Sequence, residues 1–409
     1  MRRWRLTGTL GLCLVLGCAS FAPQTTGHPC LLTTKPVIRP PSIAWHLFDV
    51  TVLSQLEQEL DLVRVVRKVV GRPRPADDRV NGQVADSSFF TNRDIAGLSA
   101  DDIRRGPTRA EQTATPPFVI TRLKAEGKTA GFFVRDAHGE RFLFKLDVPE
   151  APELVTGAEV VASKLLHALG YFVPSYEIVQ VGPNQLSIGP GLAITPEELR
   201  VRLGTRLRHG RLRVSASRLV DGDILGPFSF KQHRHCAELR ALKLAYAWVN
   251  NTDAKDHNTL MAWTGTHAIG YLIDFGTSLG GDPVRGAKGP CQGWVNDVDL
   301  KDWTVQILTL GLHPNGCDPH ERPVSPAVGL FSPRLDPIRW KPYAPNLAFE
   351  ELTNDDGRWM ARRLAGFSRA QLEAAVGAGQ YSDPTDAERI VEILEARRNA
   401  ILDTYLPDE

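Results

Sequence analysis

The chain has 409 residues, 42% hydrophobic and 23% charged, with a formal net charge of +1. That length allows one large domain or two small ones, and the composition is that of an ordinary globular protein. The near-neutral balance excludes a bulk electrostatic pull toward nucleic acid or an anionic surface as the main driver of binding.

The chain opens with Arg2, Arg3 and Arg5, followed by a short, mostly apolar run over 6–17. That run is too short to span a bilayer and reads as an export signal. Its end, Val15-Leu16-Gly17-Cys18, resembles a bacterial lipobox, in which the cysteine is acylated and becomes the new N-terminus; Leu16 departs from the small residue usual there. The expectation is a lipoprotein signal over 1–18, placing the protein on the periplasmic face of a bacterial membrane. Cys18 would be its only membrane attachment. Ordinary secretion after cleavage near Ala19 is the alternative.

Residues 19–43 are rich in Pro, Thr and Ser and read as a tether. The segment 44–114 is expected to hold a helix and an extended strap. Leu47, Val50, Leu53, Leu56, Leu60, Leu62 and Val65 recur at helical spacing before Gly71 and Pro73. In the strap, 86–93 is centred on Phe89 and Phe90 and reads as packing. Four cysteines follow the signal: Cys30, Cys236, Cys291 and Cys317. They allow three complete pairings, among them Cys291 with Cys317 across a modest loop, and spacing does not choose. His233, His235 and Cys236 lack the second half of a zinc motif and read as a basic turn.

Three strands are predicted at 117–122, 131–135 and 140–146, the last two joined by a turn at 136–139. On the third, Phe142, Phe144 and Leu146 share one face, which leaves Lys145 on the less apolar face, where a cleft-lining charge belongs. Gly127-Lys128-Thr129 is not a P-loop, because Arg122 stands where the first glycine is required and a strand follows instead of a helix. A glycine hairpin with Gly127 and Gly131 over a phosphate stays open beside an ordinary turn. A helix is predicted over 153–169, closing at Gly170. Glu159 is either the capping carboxylate of a box begun by Thr156 or, in a helix starting at Pro152, free to meet Lys145.

A strand at 176–181, a helix at 195–207, a strand at 212–220, a loop at 221–227 and a helix at 238–249 follow. The last delivers the chain into a loop holding Asp253, Lys255 and Asn258. Two strands then flank a turn at 264–266; a register symmetric about Thr266 would set Asn258 opposite Asp274, as a hard-oxygen pair for Mg²⁺. The C-terminal segment is helical, with a capping box from Ser368 to Gln371, a cap at Asp383-Pro384, and a stripe of Ile390, Leu394, Ile401 and Tyr405. Sheet first and helices last make an α+β chain.

Phosphoryl transfer needs a cation on the α/β phosphates, a carboxylate that fixes it, oxygen ligands for Mg²⁺ and a base at the acceptor hydroxyl. Lys145, Glu159, Asn258 with Asp274, and Asp253 suit those roles in that order, with Lys255 reaching the γ-phosphate. At these residues the chain resembles the protein-kinase-like superfamily. Phe142-Leu143-Phe144-Lys145 looks like its lysine strand, and Glu159 falls in its partner helix. Asp253, Lys255 and Asn258 have catalytic-loop spacing, and Asp274-Phe275-Gly276 matches its metal-binding triplet. The resemblance spans about 117–280 and looks closer to HipA-like, phosphoinositide-kinase-like and secretory-pathway kinases than to eukaryotic protein kinases; the wider chain resembles a group of exported bacterial proteins with this core. It implies a two-lobed fold. The N-lobe would be a small antiparallel sheet plus helix over 115–190, and the C-lobe, with a helical tail, would cover 191–409. It also implies ATP and Mg²⁺ as cofactors and a hydroxyl on a protein, lipid or small molecule as acceptor. Asn251 and Thr252 replace the usual His-Arg, and no Ala-Pro-Glu platform follows Gly276, which speaks against activation-loop control and a standard peptide surface. The rival readings are a kinase-fold scaffold lipoprotein without catalysis and a kinase-fold adenylyltransferase.

Overall fold

A disulfide joins Cys30, near the start of the described residues, to Cys236 far downstream. The computed structural model describes residues 29–71, 79–80, 83–124, 127, 129–314 and 316–408. The residues read as a lipoprotein signal, Cys18 included, lie outside the described residues, as does the first part of the segment read as a tether. From Cys30 onward that segment is pinned: Cys30 is buried, and Leu32 accepts a backbone hydrogen bond from Ala268 at 2.9 Å. The predicted long helix is broken into α1 (Ile43–Phe48), a π-helical turn at Asp49–Leu53, α2 (Ser54–Leu60) and α3 (Leu62–Val69). Val50 in its stripe is buried, whereas Leu53, Leu56, Leu60 and Leu62 are exposed. A short hairpin of β1 (Arg79–Val80) and β2 (Gln83–Val84) precedes the strap, in which Phe89 and Phe90 are fully buried. Phe90 meets Trp359 edge-on at 5.1 Å, so the strap packs as its aromatic centre predicts. The helix α4 (Ala100–Arg105) closes this region with a Ser99–Asp102 capping box.

Aromatic alternation then builds β3 (Phe118–Leu123), β4 (Gly131–Arg135) and β5 (Arg141–Lys145). The helix α5 (Leu154–Leu169) follows, then β6 (Tyr176–Val181), β7 (Leu186–Ile188), α6 (Pro196–Gly204), β8 (Leu207–Arg208) and β9 (Arg211–Arg218). The strands form one curled sheet in the order β6-β9-β5-β4-β3-β7, with β8 on β9. Its pairs are antiparallel except the parallel β3–β7 pair, which corrects the purely antiparallel expectation at that edge. β9 lies between β5 and β6, so the sheet continues past residue 190 and a domain boundary there would cut it. Phe118, Phe142, Phe144, Leu203 and Leu212 fill one core between this sheet and α6.

Every residue of α5 except His167 is buried, as befits a helix clasped on all sides. Its start is set from outside: Asp147 accepts from the Val155 and Thr156 amides at 2.9 and 2.8 Å. The Thr156–Glu159 capping box therefore does not form, and Glu159 lies in the second helical turn.

The residues read as a loop at 221–227 contain β10 (Asp223–Gly226), which pairs with β11 (Thr259–Trp263); β12 (Ala268–Leu272) completes that small sheet. Between β10 and β11 runs α7 (Ala237–Trp248). After the short β13 (Gly281–Asp282) and β14 (Gly286–Ala287) come α8 (Leu300–Leu308), α9 (Leu347–Glu350), α10 (Asn354–Ala365), α11 (Arg369–Ala378) and α12 (Pro384–Tyr405). Helices α5, α7, α10, α11 and α12 share a second, larger core. The caps at Ser368 and Asp383 form as predicted, and Ile390, Leu394 and Ile401 are buried with Tyr405 packed at the edge. A second disulfide joins Cys291 to Cys317. Among the described residues no helix is long and apolar enough to cross a membrane.

Candidate active site

Three elements far apart in sequence deliver charge to one point. β5 ends on Lys145, α5 presents Glu159 from its second turn, and the chain leaving β12 presents Asp274. The Lys145 ammonium donates to Glu159 Oε1 and, at 2.9 Å, to Asp274 Oδ1. Glu159 is fully buried, and its second oxygen accepts from Ser215 Oγ at 2.5 Å. Asp274 is the open member, with 36% of its side chain exposed. Burial disfavours the Lys145 ammonium, but the Asp274 and Glu159 carboxylates together outweigh it and hold its pKa above the ordinary lysine value. Burial pushes Glu159 up despite Lys145, whereas in Asp274 the Lys145 charge overcomes burial and holds the carboxyl down.

Backbone geometry fixes this arrangement. Asp274 has φ 62°, a left-handed conformation that is costly outside glycine, and its amide donates to the Tyr176 hydroxyl at 3.3 Å. Phe275 is buried against Tyr176, ring centroids 5.7 Å apart. A side chain on Gly276 would meet Val155 Cγ1 at 2.9 Å, so glycine lets this segment lie directly on α5.

The second group gathers below α7. Asn250, at φ 53°, turns the chain out of the helix, and its carbonyl accepts from the buried Lys288 ammonium. Asn251 Oδ1 accepts from the Asp253 amide at 3.2 Å and from Thr277 Oγ1 at 2.8 Å, tying this loop to the segment after Asp274. Both oxygens of Asp253 are engaged: Lys255 Nζ donates to Oδ2 at 2.8 Å, and the Tyr343 hydroxyl donates to Oδ1. Asn258 donates its side-chain amide to the Asp253 carbonyl at 3.0 Å, which fixes the orientation of its Oδ1 atom.

The register of the β11–β12 hairpin corrects one expectation. Thr259 pairs with Leu272 and Trp263 with Ala268, so Asn258 falls opposite Ile273, whose amide donates to the Asn258 carbonyl at 3.0 Å. Four residues, 264–267, make the turn, closed by Thr264 N–H on His267 O at 3.0 Å; its centre lies between two residues, not on Thr266. Asp274 is the next residue, already turning away at positive φ. Gly131 also has a structural reason. It pairs with Lys145 in the sheet, and a side chain there would collide with the Phe144 carbonyl. Gly127 has φ 77°, in the β3–β4 connection, and lies beside the Lys124 ammonium.

Asn258, through its amide oxygen, and Asp274, with Lys145 on only one of its carboxylate oxygens, are the hard donors here that could hold a divalent cation. The chain matches no protein-family model and no curated protein. Four contributors were not predicted. Ser215 and Tyr176 lie on strands whose pairing partners cannot be read locally, and Tyr343 sits far downstream in irregular chain. Lys124, whose charge also lowers the Asp274 pKa, directly follows β3 and belongs to no motif.

Proposed function

We propose that this chain is an exported, two-lobed protein-kinase-like phosphotransferase that uses ATP and Mg²⁺ to modify a hydroxyl. The observation that carries the reading is the buried Lys145 ammonium joined to Glu159 and Asp274 from three separate elements. Ion pairs this buried are weak devices for stability, and strongly perturbed charges at a cleft are what function selects. In this reading Lys145, with Lys124 and Gly127 nearby, faces the phosphates of the nucleotide. Asn258 and Asp274 hold the cation, which when bound neutralises phosphate charge. Asp253 receives the acceptor's proton, and Lys255 offsets charge on the transferred group. Two disulfides suit an oxidising compartment and support export.

Mg²⁺-ATP should raise the melting temperature of the purified protein, and Asp274→Ala should remove that shift. No shift with any nucleotide would sink the proposal. A reading as a nucleotide-binding scaffold draws on one observation, the engagement of both Asp253 oxygens by groups of the chain itself. ATP labelled separately on its α and γ phosphates separates phosphoryl transfer, adenylyl transfer and binding alone.

A further inference from the structure

Tyr343 has no role in the reading above, yet its hydroxyl stands at the reacting position that reading defines. Its backbone is clamped on both sides, the amide donating to Thr252 O at 2.9 Å and the carbonyl accepting from the Asp297 amide at 2.7 Å. Its hydroxyl donates to Asp253 Oδ1 and accepts from Lys255 Nζ at 3.2 Å, while the same ammonium reaches Asp253 Oδ2 at 2.8 Å. The phenol oxygen therefore lies between the proposed base and the proposed phosphate-facing cation, where an acceptor hydroxyl would have to lie. We propose that Tyr343 is an intramolecular phosphoryl acceptor of this site, an inference that rests on the phosphotransferase reading.

The step balances with ATP as donor. The Tyr343 oxygen forms a bond to the γ-phosphorus, the bond from that phosphorus to the bridging oxygen breaks with its electron pair going to ADP, and the phenolic proton passes to Asp253. Burial and the Asp253 charge keep the phenol protonated, so the proton has to leave during attack and Asp253 is positioned to take it. The product places a phosphate dianion beside the Asp253 carboxylate with Lys255 as its counter-ion. That repulsion blocks the base, and the clamped backbone keeps the modified ring in place, so each chain reacts once and the site is then closed to other acceptors.

Purified protein incubated with Mg²⁺-ATP should gain at most one phosphate per chain by intact mass, mapped to Tyr343 by peptide sequencing, at a rate independent of protein concentration. Tyr343→Phe and Asp253→Asn should each lose the modification completely while retaining the Mg²⁺-ATP melting shift. A retained shift with Tyr343 unmodified, or with phosphate on another residue, overturns this inference and leaves the nucleotide reading standing. Absence of the shift in the unmodified parent overturns both.

Discussion

Lys145 carries its charge where an ammonium is costly, and two carboxylates make it tolerable. Its worth is therefore conditional on its partners. Replacing Lys145 with Met leaves Glu159 fully buried with no cation, and breaking a buried pair this way costs about 3–5 kcal/mol. Urea unfolding of Lys145→Met should show a loss of that order, together with loss of the nucleotide-induced melting shift. Adding Glu159→Leu should restore much of the stability and none of the proposed nucleotide response, because it removes the orphaned charge without restoring the Lys145 ammonium. A double variant as unstable as the single one would mean that Glu159 braces the helix by itself. The meeting of Lys145 with Glu159 and Asp274 was legible because a lysine on a strand, a glutamate on the next helix and an Asp-Phe-Gly run stand in a fixed order along the chain. Ser215 and Tyr343 were not, since a serine in a strand and a tyrosine in irregular chain look the same whether or not they reach a carboxylate.

At the scale of elements, local signals were read well and pairings were not. Caps at Ser368 and Asp383, the strand at Tyr176–Val181 and the Gly170 stop depend on a few neighbouring residues. The β11–β12 register depends on whether the turn holds an odd or even number of residues, and β9 joins the sheet across an intervening helix; neither leaves a mark in sequence. The turn before α7 carries a further consequence. His233 is half-buried beside Phe89 and His235, and loss of solvent, with the His235 charge, lowers its pKa from 6.5 to about 4. Above 6.5 the ring is neutral in both states. As pH falls from there, the unfolded chain takes up a proton that the folded protein refuses, so stability declines until pH passes below about 4. Thermal melts between pH 7 and 4 should therefore show a steeper loss for the parent than for His233→Phe. Equal slopes would remove His233 from the account.

For the molecule as a whole, the Cys30–Cys236 bond closes the longest loop, over 206 residues. Composition could count the cysteines but not pair them, because Cys30 and Cys236 meet only once the strap and α7 share a core. Removing both sulfurs with Cys30→Ser and Cys236→Ser should cost about 2–5 kcal/mol in denaturant unfolding and open the segment before α1 to proteolysis. An unchanged midpoint and cleavage pattern would show that hydrogen bonds alone hold that segment.

The same bond decides how the molecule bears a mechanical load. Tension applied ahead of Cys30 does not travel along the chain through the strap and the sheet. It crosses directly to Cys236, the residue capping the start of α7, and that helix runs straight into the loop of Asp253, Lys255 and Asn258. A pull from the N-terminal side would thus act on the frame of the Asp253 loop before it reached the sheet that carries Lys145. Reducing one disulfide would reverse that distribution.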